Sequence, residues 1–208
     1  LPDPRFPPTV RFMQAAMSLA DADVYDDPML TNQIFANHQF GDVEPDRDSV
    51  TTQVDYTWTA AGNVGSVLLE AGFTAFAGRR HNIITIETDS GLAISGQTTD
   101  RSTVATFAKV RFFPAANNHD ILDLFIVDAG EALDEDTPLF VQLIYTLQSP
   151  NLSLEAGSFD IYLTAAGDRN TIVAGPVRLD IALGDFQEII VFDTVDPATA
   201  EVRLIPTP

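Results

Sequence analysis

The chain is written twice. Val54-Asp-Tyr-Thr-Trp-Thr-Ala-Ala-Gly62 recurs as Phe159-Asp-Ile-Tyr-Leu-Thr-Ala-Ala-Gly167, with five of nine residues identical at an offset of 105. Val10-Arg-Phe-Met-Gln-Ala-Ala16 recurs as Val110-Arg-Phe-Phe-Pro-Ala-Ala116, with five of seven identical at an offset of 100. Two copies of one unit leave few architectures open. Each spans roughly 100 residues, the size of an immunoglobulin-like sandwich. The change of offset places a net five-residue insertion in the second copy, between residues 117 and 158.

The periodicity inside the copies is that of strands. Val54, Tyr56 and Trp58 alternate with polar residues, as do Phe159, Ile161 and Leu163, so each segment has one apolar face. Val10 and Phe12 point inward and Arg11 outward on a half-buried strand. Gly62 and Gly167 end their strands where a hairpin needs a positive φ. Further strands are expected at Leu19–Asp27, Gln33–Ala36, Val67–Leu69, Phe73–Phe76, Asn82–Glu87 and Leu92–Ser95. In the second copy they fall at Ile121–Asp128, Thr171–Val173, Val177–Ala182, Glu188–Phe192 and Glu201–Ile205. No stretch keeps a helical period. The expected fold is all-β: two tandem immunoglobulin-like β-sandwich domains, 10–103 and 104–208, joined by a polar linker over Gly96–Thr103. Residues 1–9 form an extended, Pro-rich arm.

Composition narrows the function classes. Thirty acidic residues against 11 basic leave a net charge of -19. Such a surface repels nucleic acid and anionic membranes and suits solubility or salt adaptation. There is no Cys, which excludes disulfides and thiolate metal sites. No apolar run reaches membrane-spanning length. The start at Leu1, without a leader, reads as a processed, exported chain.

Few residues carry candidate chemistry. A hydrolytic triad needs an oriented nucleophile, base and acid. The chain offers His38, His81 and His119, with no Gly-x-Ser-x-Gly elbow. These histidines sit at non-equivalent repeat positions, His81 opposite Phe186, and read as surface or loop residues. Asp21, Asp23, Asp26 and Asp27 form an acidic cluster, as do Asp134, Glu135 and Asp136. Hard cations take six to eight oxygens from a flexible loop, so Asp21, Asp23, Asp26 and Asp27 are the candidate calcium ligands. A solvated acidic face is the plainer reading. Phe12, Tyr56 and Trp58 suggest a sugar platform by type, but their in-phase alternation places them in the core.

Several of these segments resemble the bacterial DUF4397 family. The opening Val-Arg-Phe-x-x-Ala-Ala strand carries the likeness, with Asp21-Ala-Asp-Val-Tyr25 and Phe40-Gly-Asp-Val43 after it. In the second copy Leu154-Glu-Ala-Gly-Ser-Phe-Asp-Ile161 and Thr164-Ala-Ala-Gly167 look like the family's strand entry and hairpin. The family's usual His-Ala-Ser-Pro-Asp-Ala-Pro opening is replaced by Gln14-Ala-Ala-Met-Ser18 and Pro114-Ala-Ala-Asn-Asn118. The resemblance implies a β-sandwich, export and a surface location, and brings no catalytic residues.

The expected protein is therefore a non-catalytic extracellular or cell-surface structural subunit that needs no cofactor. It would self-associate as a homo-oligomer or filament through sheet edges and an arm carrying Leu1, Pro2, Pro4, Phe6, Pro7 and Pro8. The alternative is an adhesion module for glycans or divalent cations.

Overall fold

The computed structural model describes residues 5–99, 104–134, 137 and 139–205, and in these the chain is all β. It divides into two compact units, Leu1–Asp100 and Arg101–Pro208. The first holds Thr9–Gln14 (β1), Ala22–Tyr25 (β2), Gln33–His38 (β3), Arg47–Asp48 (β4), Gln53–Ala60 (β5), Asn63–Thr74 (β6), Arg80–Thr88 (β7) and Gly91–Thr99 (β8). The second repeats them as Ala108–Pro114 (β9), Ile121–Asp128 (β10), Val141–Ile144 (β11), Leu152–Leu154 (β12), Gly157–Ala165 (β13), Asp168–Ile181 (β14), Phe186–Asp193 (β15) and Ala200–Ile205 (β16).

Each unit is a sandwich of two four-stranded sheets. In the first unit the sheets run β4-β1-β7-β8 and β3-β2-β5-β6. In the second they run β12-β9-β15-β16 and β11-β10-β13-β14, the same order strand for strand. The central pairs β1/β7 and β9/β15 are parallel, and the other pairs are antiparallel. Parallel neighbours require a crossover, and here the chain between them builds the whole opposite sheet and adds β4 or β12 to the edge of their own. The tandem all-β sandwich is as the repeat predicts. Its four-and-four grouping with a parallel centre differs from an immunoglobulin constant domain.

The alternating apolar faces meet between the sheets. In the first unit Val10, Phe12, Val24, Tyr56, Trp58 and Ile83 form the core. Phe12 meets the edges of Tyr56 and Phe35 at ring separations of 5.0 and 5.3 Å. Burial of such side chains stabilises by about 1.5–3 kcal/mol each. Phe12, Tyr56 and Trp58 are thus core residues, and none lines a sugar platform. In the second unit Phe112, Leu122, Leu124, Ile161, Leu163 and Val191 fill the same space.

Three expectations are corrected. Arg11 lies on the outer face of its strand yet is buried, because Asp46 from the β3–β4 connection covers and pairs it. The segment Gly96–Thr99 is not linker: it completes β8, and residues 100–103 lie outside the described residues. Gly96 is small because the Phe73 ring occupies the space a side chain would need. Finally, the strands expected at Val67–Leu69 and Phe73–Phe76 are largely one long edge strand, β6. Those at Thr171–Val173 and Val177–Ala182 likewise merge into β14. An edge strand tolerates glycine and irregular register where a central strand would break.

The pairing registers locate the insertions. Ala22 faces His38, and Leu122 faces Leu143. The offset is 100 on the first strand and 105 on its partner, a net five residues; nearer the turn Val24 faces Phe35 and Leu124 faces Val141, so the β10–β11 connection is itself six longer and the bulge in β3 takes one back. That connection lays Leu133 over Phe125, Val127 and Tyr162, a small apolar cluster on the outer face of its sheet. One more residue enters in β14. Leu69 faces Trp58 as Ala174 faces Leu163, an offset of 105, whereas Ala71 faces Tyr56 as Val177 faces Ile161, an offset of 106. Gly175 and Pro176 occupy the irregularity. Its consequence is that His81 stands in register with Gln187, not with Phe186.

Candidate functional site

The structure gathers one group of metal-compatible side chains among the described residues: His38, Asp42 and Glu44. His38 ends β3. The preceding Asn37 is left-handed, with φ 55, and donates its N–H to Asp23 Oδ1 at 2.9 Å. Past this kink the chain crosses to the other sheet. Gly41 donates to the Gln14 carbonyl, Gln14 donates to the Asp42 carbonyl, and Glu44 donates to the Phe12 carbonyl. These bonds to β1 hold 41–44 as a rigid rung beneath the imidazole.

The side chains then converge. His38 Nδ1 lies 3.0 Å from Glu44 Oε1 and 3.9 Å from Asp42 Oδ2. Asp42 Oδ2 also accepts the Gln39 N–H at 2.7 Å. The imidazole is 1% exposed, Glu44 24% and Asp42 45%, so the group opens to solvent on its carboxylate side. The Phe35 ring stacks on the imidazole at 5.9 Å, and the Arg47 guanidinium lies over Phe35. Burial pulls the His38 pKa below its ordinary 6.5, against the opposing pull of Glu44 and Asp42. A neutral imidazole and two carboxylates are a ligand set for a borderline divalent cation.

The acidic cluster behaves differently. Asp21, Asp23, Asp26 and Asp27 form no ligand group with one another. Asp23 is buried, and its two oxygens accept the Asn37 and Gly62 N–H groups. Asp27 accepts from the Thr31 hydroxyl and from the Thr31 and Asn32 N–H groups, and these bonds hold its carboxyl below the usual carboxylate range. Asp26 accepts from Asn32, and Asp21 from Gln39. Each carboxylate is bound into turn structure rather than turned toward a shared centre. In the second acidic run, Asp134 accepts from Thr137, while Glu135 and Asp136 lie outside the described residues.

The repeated hairpin is explained by the same bonds. Gly62 and Gly167 have φ 72 and 75, and their N–H groups donate to Asp23 Oδ2 and Asp123 Oδ2, each at 2.8 Å. Thr-Ala-Ala-Gly is thus a turn that an aspartate on the neighbouring strand receives. A second repeated device anchors the conserved-register arginines. Asp46 Oδ1 lies 2.9 Å from Arg11 Nε and 2.7 Å from Arg80. In the second unit Arg111 Nε donates to Asn151 Oδ1 at 2.8 Å.

Of the three histidines expected at the surface or in loops, His119 lies in a loop, whereas His38 and His81 lie in strands. His38 and His81 are buried, and His119 is half-buried. His81 has both nitrogens engaged: Nε2 accepts the Phe76 N–H at 2.9 Å, and Nδ1 meets the Thr98 hydroxyl at 3.1 Å. That is a structural histidine.

Of the arm, Leu1, Pro2 and Pro4 lie outside the described residues. Phe6 and Pro8 are tied to their own unit: the Phe6 carbonyl accepts from Gly78, and the Pro8 carbonyl from Ser49. Pro8 is buried, Pro7 exposed, and Thr9 already pairs in β1. An arm of nine free residues is therefore too long, because Pro8 and Thr9 belong to the sandwich. The Phe6 side chain is 64% exposed, and Phe76, two residues before Gly78, is 59% exposed.

No protein-family model matches the chain, and no curated protein matches it. The likeness to DUF4397 stays with the strand and turn motifs that carry it. His38, Asp42 and Glu44 were not visible as a set by motif. The signal that finds them is the comparison of the two copies, which puts Leu143, Leu147 and Ser149 in their places.

Proposed function

We propose that the chain is a non-catalytic structural protein of the cell exterior, a cell-surface or filament-forming subunit that self-associates through its N-terminal arm and sheet edges. The observation that carries this reading is the exposed Phe6. Its carbonyl is bonded to Gly78, two residues after the exposed Phe76, and its side chain stays exposed instead of folding onto the core. Exposed aromatic residues held on a rigid frame are the anchors from which interfaces are built.

The edge strand β6 supports the same reading. Its 12 residues include one charge, Glu70, and expose Val64 and Val67. An edge so lightly charged is a template for pairing with another chain. The matching edge β14 carries Asp168, Arg169, Arg178 and Asp180 together with Pro176, which guard it. The external location rests on the resemblance.

A second reading uses the same aromatic pair. Phe76 and Arg79 share a shallow depression with Thr98, and with the exposed Phe6 they also suit a glycan-binding surface, the adhesion alternative. Sizing and negative-stain imaging of the whole chain over a range of concentrations separate the two. Self-association gives species above 22.6 kDa, and F6A/F76A or V67K returns them to monomer. A monomer at every concentration ends the assembly proposal. Retention on a glycan array that F6A/F76A abolishes would then support adhesion.

A further inference from the structure

We propose that His38, Asp42 and Glu44 form a binding site for one divalent transition-metal ion of the zinc class. Two independent observations meet here. The first is geometric: one imidazole nitrogen and two carboxylate oxygens lie within 4.8 Å of one another. The imidazole is buried, and its Nδ1 is aimed at the two carboxylates. The Nε2 atom has no hydrogen-bond partner among the described residues. His81 shows what a structural histidine in this fold looks like, with both nitrogens bonded. His38 has only Nδ1 engaged, by Glu44 at 3.0 Å, and Nδ1 is the atom an ion would take over.

The second observation is the other copy. Leu143 pairs with Leu122 as His38 pairs with Ala22. Ser149 donates its N–H to the Phe112 carbonyl at 2.9 Å, as Glu44 does to the Phe12 carbonyl at 2.9 Å. Leu147 precedes Ser149 as Asp42 precedes Glu44. The second unit therefore keeps the backbone of this crossing with Leu143, Leu147 and Ser149. Folding does not require the three polar groups, so their gathering in the first unit calls for another reason.

The donor set selects the ion. Calcium and magnesium take oxygen ligands, and an imidazole is foreign to them. Zinc accepts imidazole and carboxylate together, commonly with three protein ligands and a fourth position left to water. The solvent-facing side of Asp42 and Glu44 leaves room for that fourth ligand. The Phe35 ring on the imidazole fixes its plane. The site differs from the calcium ligands suggested by the sequence, and it does not depend on whether the chain assembles.

The test is calorimetric titration of chelator-stripped protein with zinc, alongside calcium and magnesium. We expect one tight zinc equivalent per chain, a raised melting temperature with zinc, and neither effect at the same concentration of calcium or magnesium. D42N, altered at a half-exposed position that the fold tolerates, should weaken zinc by more than about tenfold, the loss that disturbing even an outer-shell partner brings. The triple exchange H38L/D42L/E44S, which installs the second copy's residues, should abolish the equivalent and keep the far-ultraviolet spectrum. Equal zinc binding by the original chain, D42N and the triple exchange would overturn the proposal, since it would assign binding to the diffuse acidic surface. So would the absence of any saturable zinc binding.

Discussion

At the scale of the residue, the copies act as each other's control. Asp23 and Asp123 keep one role, and so do Arg11 and Arg111, although the acceptor changes from Asp46 to Asn151. His81 diverges, and its chemistry gives a testable pH dependence. Burial is the main reason its pKa falls below 6.5, and the nearby Arg79 charge adds to it. A folded-state pKa below the unfolded one means that the unfolded chain takes up the proton first. Stability is then whole above about pH 6.5 and declines as the pH falls below it. Asp27, Asp160 and Asp168 are held below 3.8 by bonds from Thr31, Arg178 and Thr171, so their contributions disappear only below that value. Urea midpoints at pH 7.5 and 5.5 therefore isolate the histidines. We expect a lower midpoint at pH 5.5, and a smaller drop in H81Q, which carries the residue found at the same register position in the second unit. An unchanged pH dependence in H81Q would remove His81 from the account. The burial of this residue was not legible beforehand, because alternation assigns a face and says nothing about what covers it.

At the scale of the element, the aspartate-to-hairpin bond joins two strands that the sequence shows only as separate motifs. The strand that carries Asp23 or Asp123 and the Thr-Ala-Ala-Gly hairpin are each readable, but their contact spans 39 and 44 residues. Removing the carboxylate takes away part-buried hydrogen bonds, at about 1 kcal/mol each. Asp23 serves two backbone N–H groups, whereas Asp123 serves one N–H and the flexible Gln142 side chain. D23A should therefore destabilise more than D123A in equilibrium urea unfolding. The reverse order would show that the hairpin bond alone sets the cost. The fused edge strands β6 and β14 make the same point about legibility. The two pairs of shorter strands expected there are continuous, because an edge strand can pass through Gly72 and Gly175.

At the scale of the whole molecule, charge is the dominant global property. A net charge of -19 repels itself in the compact state. Raising the salt from about 0.01 M to about 1 M shortens the screening length from about 30 Å to about 3 Å. The melting temperature should rise across that range. A fall would mean that ion pairs such as Arg178–Asp160 outweigh the repulsion. The sequence by itself determined the all-β class, the two copies, the hairpin glycines and the core identity of Phe12, Tyr56 and Trp58. Those follow from local periodicity, since a two-residue repeat decides which face a side chain takes. Only the tertiary structure decided the parallel β1/β7 and β9/β15 pairs, the register that sets His81 against Gln187, and the burial of Arg11 and His38. It also brought His38, Asp42 and Glu44 together. Each of these depends on a partner supplied by a distant strand or by a crossing loop, and alternation within one strand carries no record of its neighbour.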